Sequence, residues 1–290
     1  MRVLRYALAL PDGGECGDPN FLLELAVRAE DAGWDGVFLE DYICYQGNGH
    51  VPTVDVWTVL GAIAVKTERT ILGTSVTPLP RRRPWKVARE AAAIDQLSGG
   101  RFVLGVGIGD TGESVVGDAS LSNFGEVTEA RTRAEMLDEG LAIVDGLWRG
   151  EPFSFSGKHY QVNDVIFSPR PVQQPRIPIW VGGGYPMRGP TRRALRWDGS
   201  MLYKAPQHDT DEAGMTGEDV RTLREMAAGR PFVIAVGGSP RKVDWEAERA
   251  RIAEVARAGA DWWVEWAPPA DRATMRAAVN RGPLHVDLDA

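Results

Sequence analysis

Along the chain, apolar runs of strand length alternate with stretches whose apolar residues recur every three or four positions. That order is expected of parallel strands joined by crossover helices. The first strand is read over Val3–Leu10, followed by a helix from Pro19 to Ala32 in which Leu22, Leu25, Ala26 and Ala29 share one face and Gly33 is the stop. Strands follow at Asp35–Glu40, Thr70–Thr77 and Arg101–Gly107, with helices at Val54–Lys66 and from Pro84 to Ser98 between them. Pro84 opens its helix in the first turn, where the missing N–H leaves no bond unmade. A long helix over Glu126–Arg149 places Met136, Leu137, Leu141, Val144 and Leu147 at helical spacing and closes at Gly150.

The proline-rich segment 151–177 interrupts this rhythm and reads as an insertion with a small hairpin through "FSFSGKHYQV". Alternation then resumes with strands at Pro178–Gly182, Gly199–Tyr203, Phe232–Val236 and Asp261–Trp266. Helices follow near Arg188–Leu195, Gly217–Ala228, Trp245–Ala258 and Ala270–Asn280. A faint repeat supports the pattern: "AGWDGVFLE" at 32–40, "LRWDGSMLY" at 195–203 and "AGADWWVEW" at 258–266 each run from a helix end through an aspartate into a strand. Eight strand–helix units predict a single α/β domain over residues 1–290, a (β/α)8 TIM barrel with an insertion before the fifth strand and functional loops at the strands' C-terminal ends. A doubly wound sheet is the alternative, but it seldom needs eight regular units.

With 43% hydrophobic and 25% charged residues, the chain has the composition of an ordinary globular protein. A net charge of −7 and a single basic run, Arg81–Arg83, argue against a nucleic-acid partner. That run reads as a solvated charge cluster ahead of a helix. No segment approaches the ~20 apolar residues of a membrane span, so a cytoplasmic protein without a membrane partner is expected. Cys16 and Cys44 form no C-x-x-C pair, and the four histidines show no ligand spacing, so no metal site is predicted.

The run "GVGIGDTG" at 105–112 has the G-x-G-x-x-G spacing of a dinucleotide fingerprint. The sequence after it lacks helical periodicity, and Glu126 and Glu129 fall at a helix start where a Rossmann fold needs the end of a second strand, so that reading fails. In a barrel these glycines end the fourth strand and leave space for a flat ligand. Gly182, Gly183 and Gly184 lead toward a helix and are a candidate phosphate grip, against the alternative of a turn that needs unusual φ. Tyr42, His50 and Asp110 follow barrel strands and are candidates for proton transfer. Tyr45 and Tyr185 are candidates for lining a pocket.

The segment "ERTILGTSVTPLPRRRPWKVAREAAAIDQLSGGRFVLGVGIGD" at 68–110 resembles the luciferase-like monooxygenase superfamily. Further matches are "RAEDAGWDGVFLED", "HYQVNDVIFSPRPVQQPRIPIWVGGG" and "RRALRWDG". The resemblance implies an enzyme with a barrel that binds FMN or the deazaflavin coenzyme F420 at its C-terminal face and acts on a small organic substrate by oxygenation or hydride transfer. It implies that Gly73, Thr74, Ser75 and Val76, with Gly107 and Gly109, line the ring, that Ser75–Val76 is a cis peptide, and that Gly182–Gly184 hold the cofactor phosphate. Asp110 matches the place of a catalytic glutamate in some deazaflavin enzymes, which leans toward F420. Where many members carry a histidine after the second strand, this chain has Tyr42. Tyrosine, with an ordinary pKa of ~10, is a poor base at neutral pH, which motivates the alternative of a catalytically weak flavin-binding accessory subunit. Analogy also implies a homo-oligomer and, with FMN, a separate reductase.

Overall fold

A computed structural model describes residues 3–47, 49–110, 120–204 and 214–288 of the 290-residue chain. Eight strands make the barrel: β1 (Arg5–Leu10), β2 (Gly36–Leu39), β3 (Ile71–Thr74), β4 (Phe102–Gly107), β5 (Ile179–Gly184), β6 (Gly199–Tyr203), β7 (Val233–Ser239) and β8 (Trp262–Trp266). Every neighbouring pair is parallel, and the pairings β1–β8 and β3–β4 close the ring. Helices sit between consecutive strands, as the alternating pattern predicts. Their ends obey local chemistry: the Asp18 side chain caps the helix opened by Pro19, and Gly99, at φ 65°, closes the helix Pro84–Ser98.

Side chains along each strand point alternately into the barrel and out toward the helices. The outward set, including Leu8, Leu10, Val37, Leu39 and Leu104, merges with the helices' apolar faces into one large core. The inward set is smaller and includes Ala7, Ala9, Phe38, Val103, Trp180, Ala235, Trp262 and Val264. Three rings fill the barrel's centre, with centroid separations of 5.4 Å for Phe38–Trp180, 6.0 Å for Phe38–Trp262 and 5.7 Å for Trp180–Trp262. A Cβ on Gly199 would lie 2.7 Å from Trp180, so glycine there is what lets an indole occupy the interior.

The third strand departs from the unbroken Thr70–Thr77 that periodicity suggests. It ends at Thr74, the Ser75–Val76 peptide is cis, and Thr77–Pro78 resumes as a two-residue strand on β4, with Thr77 opposite Val106. Hydrophobic period reports burial, which resumes at Thr77 and Pro78 beyond the break; backbone pairing of β3 has stopped at Thr74. The segment before β5 holds an antiparallel hairpin of Phe153–Ser156 with Gln161–Val165. Buried Asp95 pins the chain beyond it, its Oδ2 accepting the N–H groups of Val172 (2.7 Å) and Gln173 (3.0 Å). Among the described residues no helix is long and apolar enough to cross a membrane.

At the break, Gly105 leaves no choice of residue, because a Cβ there would lie 1.8 Å from the Thr74 carbonyl oxygen. Gly105→Ala is expected to cost ~3 kcal/mol or more, as overpacking against backbone does. Gly61→Ala, in a helix with open space around it, should be neutral or stabilising by up to ~1 kcal/mol. Urea unfolding of both variants checks the contrast.

Candidate functional site

The barrel's lower interior is packed with rings; its upper interior is not. Carrying the inward alternation upward from Val103, Trp180 and Ala235 places Gly105 and Gly107 of β4, Gly182 and Gly184 of β5 and Gly237 of β7 in the upper layers. Ser75, Val76, Gly182, Met201 and Trp266 keep partial exposure although they belong to this interior, so solvent reaches down to them. The result is a recess at the C-terminal mouth with one wall made largely of backbone.

Opposite that wall stands Glu40. Gly36, Phe38 and Glu40 share one parity, and the Glu40 N–H still donates to the Leu10 carbonyl (3.0 Å), so the ladder carries its side chain inward. On the far side of β1, Trp266 faces Ala9 in register, and the small Ala9 leaves the indole room to extend toward Glu40. Protein surrounds the Glu40 carboxyl on most sides, and this burial raises it to about 7, although the nearby Tyr45 hydroxyl and Trp266 indole N–H favour the charged form. Glu40 Oε2 and Trp266 Nε1 are both buried, and the Tyr45 hydroxyl and Trp266 indole are the donors nearest the carboxyl.

Two more carboxyls anchor the loop after β2, with opposite arrangements. Asp12, fully buried, accepts the Tyr42 N–H at 2.6 Å through Oδ2, while its Oδ1 has no partner. Burial, helped by the charges of Asp41 and Glu40, raises Asp12 to about 8. Asp41 is instead surrounded by donors: Arg81 Nη2 at 2.8 Å, Thr77 Oγ1 at 2.7 Å and Trp57 Nε1 at 3.0 Å. The Arg81 and Asp41 side chains are 5% and 3% exposed, and Arg82 approaches within 3.4 Å. This corrects the expectation of a solvated arginine run: Arg81 is the buried counter-ion that ties the loop after β3 to the loop after β2.

The predicted residues separate into groups. Tyr42 and Tyr45 meet edge to face at 5.3 Å, and Tyr45 fills the space over Gly13, where a Cβ would fall 2.1 Å from its ring. Val76 packs between strands, 2.8 Å from where a Cβ would stand on Gly107 or on Gly182. Gly183 makes room for Pro190 and Gly184 for Met187. Much of the space these glycines free is therefore taken by protein atoms, and what they offer a ligand is backbone. Gly182–Gly184 prolong β5 alongside Met201–Tyr203, and Tyr185, Pro186 and Met187 intervene before the helix Arg188–Ala194, so the run belongs to a strand end and not to a helix's first turn. Gly109, at φ 83°, and half-buried Asp110 follow β4, near the Arg133 guanidinium, whose Nε donates to the Ile108 carbonyl. Tyr185 packs at the edge of the outer core beside the Lys204–Asp219 pair. His50 is exposed on the loop after β2, in a shallow hollow with Cys44 and Pro52. Glu40, Asp12 and Trp266 were not singled out by the sequence reading; strand parity within a closed barrel is the signal that identifies the first and last.

The recess suits a flat ring system: a wall of glycine backbone on one side, and the buried Glu40 carboxyl with the Trp266 indole beside it on the other. A family model described as luciferase-like monooxygenase matches residues 5–285. An F420-dependent glucose-6-phosphate dehydrogenase of Microbacterium testaceum (strain StLB037) is 36% identical over 225 residues, covering 72% of this chain and 63% of that protein. The corresponding protein of Nakamurella multipartita is 34% identical over 226 residues with the same coverage. The chain thus spans less than two thirds of the length of these curated relatives. Among solved structures, an F420-dependent secondary alcohol dehydrogenase in complex with an F420–acetone adduct superposes with a TM-score of 0.73 at 17% identity, covering 99% of this chain and 100% of that one. A coenzyme F420-dependent tetrahydromethanopterin reductase from Methanopyrus kandleri gives 0.70 at 16% identity, covering 97% and 99%. At such identities the superpositions speak for the barrel alone.

Raised carboxyls set a pH dependence. Glu40 and Asp12 hold their protons more tightly folded than unfolded, so the folded chain binds more protons from about pH 4 up to about 7 and 8, the raised values. Their contribution is fully favourable below that window and is lost as pH rises through it, with a slope of at most ~1.4 kcal/mol per pH unit for each group. Asp12→Asn keeps an acceptor for Tyr42 and should flatten the decline, which denaturant unfolding from pH 4 to 9 measures.

Proposed function

The chain belongs to the luciferase-like monooxygenase family, and from that premise we propose that it is an oxidoreductase binding F420 or FMN in the barrel's mouth and acting on a small organic molecule. The single observation that carries this reading is the recess itself, with the Glu40 carboxyl buried beside it and raised by that burial to about 7. The names of the curated relatives favour F420 over FMN. Bound there, F420 supplies hydride transfer, while reduced FMN also supplies oxygen activation and would call for a separate reductase.

This chain's own residues have distinct parts in the proposal. Gly73 and Thr74 fix the position of the Ser75–Val76 turn, and Val76 with Gly107 and Gly109 forms the wall that would hold the ring. Gly182, Gly183 and Gly184 offer backbone N–H groups to the phosphate. Glu40 exchanges a proton with the substrate, because a group with a pKa near the working pH can both give and accept one. Trp266 and Tyr45 orient its carboxyl, Asp12 holds Tyr42 through the backbone, and the Asp41–Arg81 pair holds the loop. Asp110 is a second candidate for proton transfer from the opposite side of the mouth. Tyr42 and His50 line the loop nearest Glu40, and Tyr185 shapes the rim by its packing.

Titration of the purified protein with F420 and with FMN tests the first part; saturable binding of at least one is expected, and binding of neither removes the proposal. Glu40→Gln should lower kcat/KM by about 10²-fold or more and abolish the limb of the pH–rate profile near 7, with cofactor affinity little changed. Asp110→Asn, assayed in parallel, separates the two carboxyls. If both variants keep full activity, the proton step lies elsewhere.

A further inference from the structure

Behind the end of β4 lies a buried positive charge that the proposed proton step does not use. Arg133, in the helix Ala130–Trp148, is fully buried, although a guanidinium stays protonated at any working pH and is costly to take out of water. The backbone around the mouth draws it inward: its Nε donates to the Ile108 carbonyl at 2.5 Å and its Nη1 to the Val127 carbonyl at 2.8 Å. These two acceptors satisfy N–H groups and carry no charge of their own. Nη2 reaches on to Gly109, standing 3.1 Å from where a Cβ on that residue would lie, with Pro78 at 3.2 Å from the same point. The guanidinium therefore lies against the Ile108–Gly109 backbone, which follows β4 and belongs to the wall proposed for the ring.

A neutral donor would suffice to hold two carbonyls, so the charge itself calls for a use. A hydride brings two electrons and one proton onto a ring, whose charge falls by one unit, while the donor that loses the electron pair of its C–H bond is left one unit more positive. Charge that appears on the ring only with this transfer is stabilised by a cation fixed in place beforehand. The effect is strong where packed protein keeps water from screening it. Resting on the oxidoreductase reading above, we propose that Arg133 is a positioning residue whose charge, held behind the Ile108–Gly109 backbone, favours the reduced form of the bound ring over the oxidised one. The helix Ala130–Trp148 supplies the charge from outside the barrel, and the backbone after β4 sets how near it stands.

The test measures binding and needs no turnover. Dissociation constants of oxidised and reduced F420, and of oxidised and reduced FMN, are determined without oxygen on the full chain for the wild type, Arg133→Gln and Arg133→Lys. Glutamine still donates to a carbonyl but carries no charge, and lysine keeps the charge without the fork. We expect the preference for the reduced form, taken as the ratio of the two constants, to shrink about tenfold or more in Arg133→Gln, which lowers the midpoint of a two-electron couple by about 30 mV. Arg133→Lys should keep most of the wild-type ratio. A clamp alone would weaken both forms alike and leave the ratio where it was. The inference is overturned if Arg133→Gln keeps the wild-type ratio, or if Arg133→Lys loses as much of it as Arg133→Gln does. Should Arg133→Gln fail to fold, the neutral Arg133→Met takes its place in the same comparison. An unchanged ratio with saturable binding sinks the role of Arg133 alone, whereas a wild type that binds neither cofactor in either form sinks the oxidoreductase reading with it.

Discussion

The seam between β3 and β4 is the constraint on which the mouth depends. A barrel needs continuous pairing to close, yet β3 matches β4 over only Leu72–Phe102 and Gly73–Val103 before its ladder stops. The gap is bridged by chemistry that only these residues provide: the Thr74 carbonyl fills the space that a side chain on Gly105 would occupy, and the Thr74 hydroxyl donates to the Gly105 carbonyl at 2.6 Å. Thr77–Pro78 then takes up the pairing one step further along. Between the two paired stretches Val76 is carried onto Gly107 and Gly182, and the mouth acquires its wall.

The same seam places the loop that follows it. Arg81 comes three residues after Pro78 and reaches the Asp41 carbonyl at 2.6 Å as well as its carboxylate, joining the ends of β2 and β3 above the barrel. Burying this pair carries a desolvation cost that Coulomb attraction alone does not offset. Thr77, Trp57 and the second bond to the Asp41 backbone complete the shell, which is why the pair acts as a fastener and not as a reactive group. Glu40, one residue earlier, points the opposite way and has none of these donors. Adjacent carboxylates thus receive different roles from strand parity.

The barrel was legible because it rests on local period: all eight strands fall within a few residues of where alternation puts them, and β6 coincides with the predicted Gly199–Tyr203. The misreadings share a physical cause, which is that the sequence shows what a residue is but not what it faces. Arg81 looked like one of three solvated charges because its partner is 40 positions away. For the glycines of 105–109 and 182–184 the sequence records only that a Cβ is excluded, and not by what. Thr74, Val76, Pro190 and Met187 do much of that excluding. Glu40 passed unnoticed beside Asp41 because its importance lies in an inward direction that means something only once the ring is closed.

That direction also bears on the missing histidine. The resemblance implies an imidazole in many members at the place of Tyr42 after β2, and a phenol does not replace a base that works near neutral pH. Its backbone, held by Asp12, keeps the loop in place regardless of what its side chain is. The titration that a histidine would supply is instead present two residues earlier in the chain, in a carboxyl that burial has moved up to about 7. A carboxyl so placed is neutral when protonated and anionic when not, whereas an imidazole is cationic and then neutral. The protonated form of Glu40 therefore adds no charge to the recess, and its ionisation is opposed by burial.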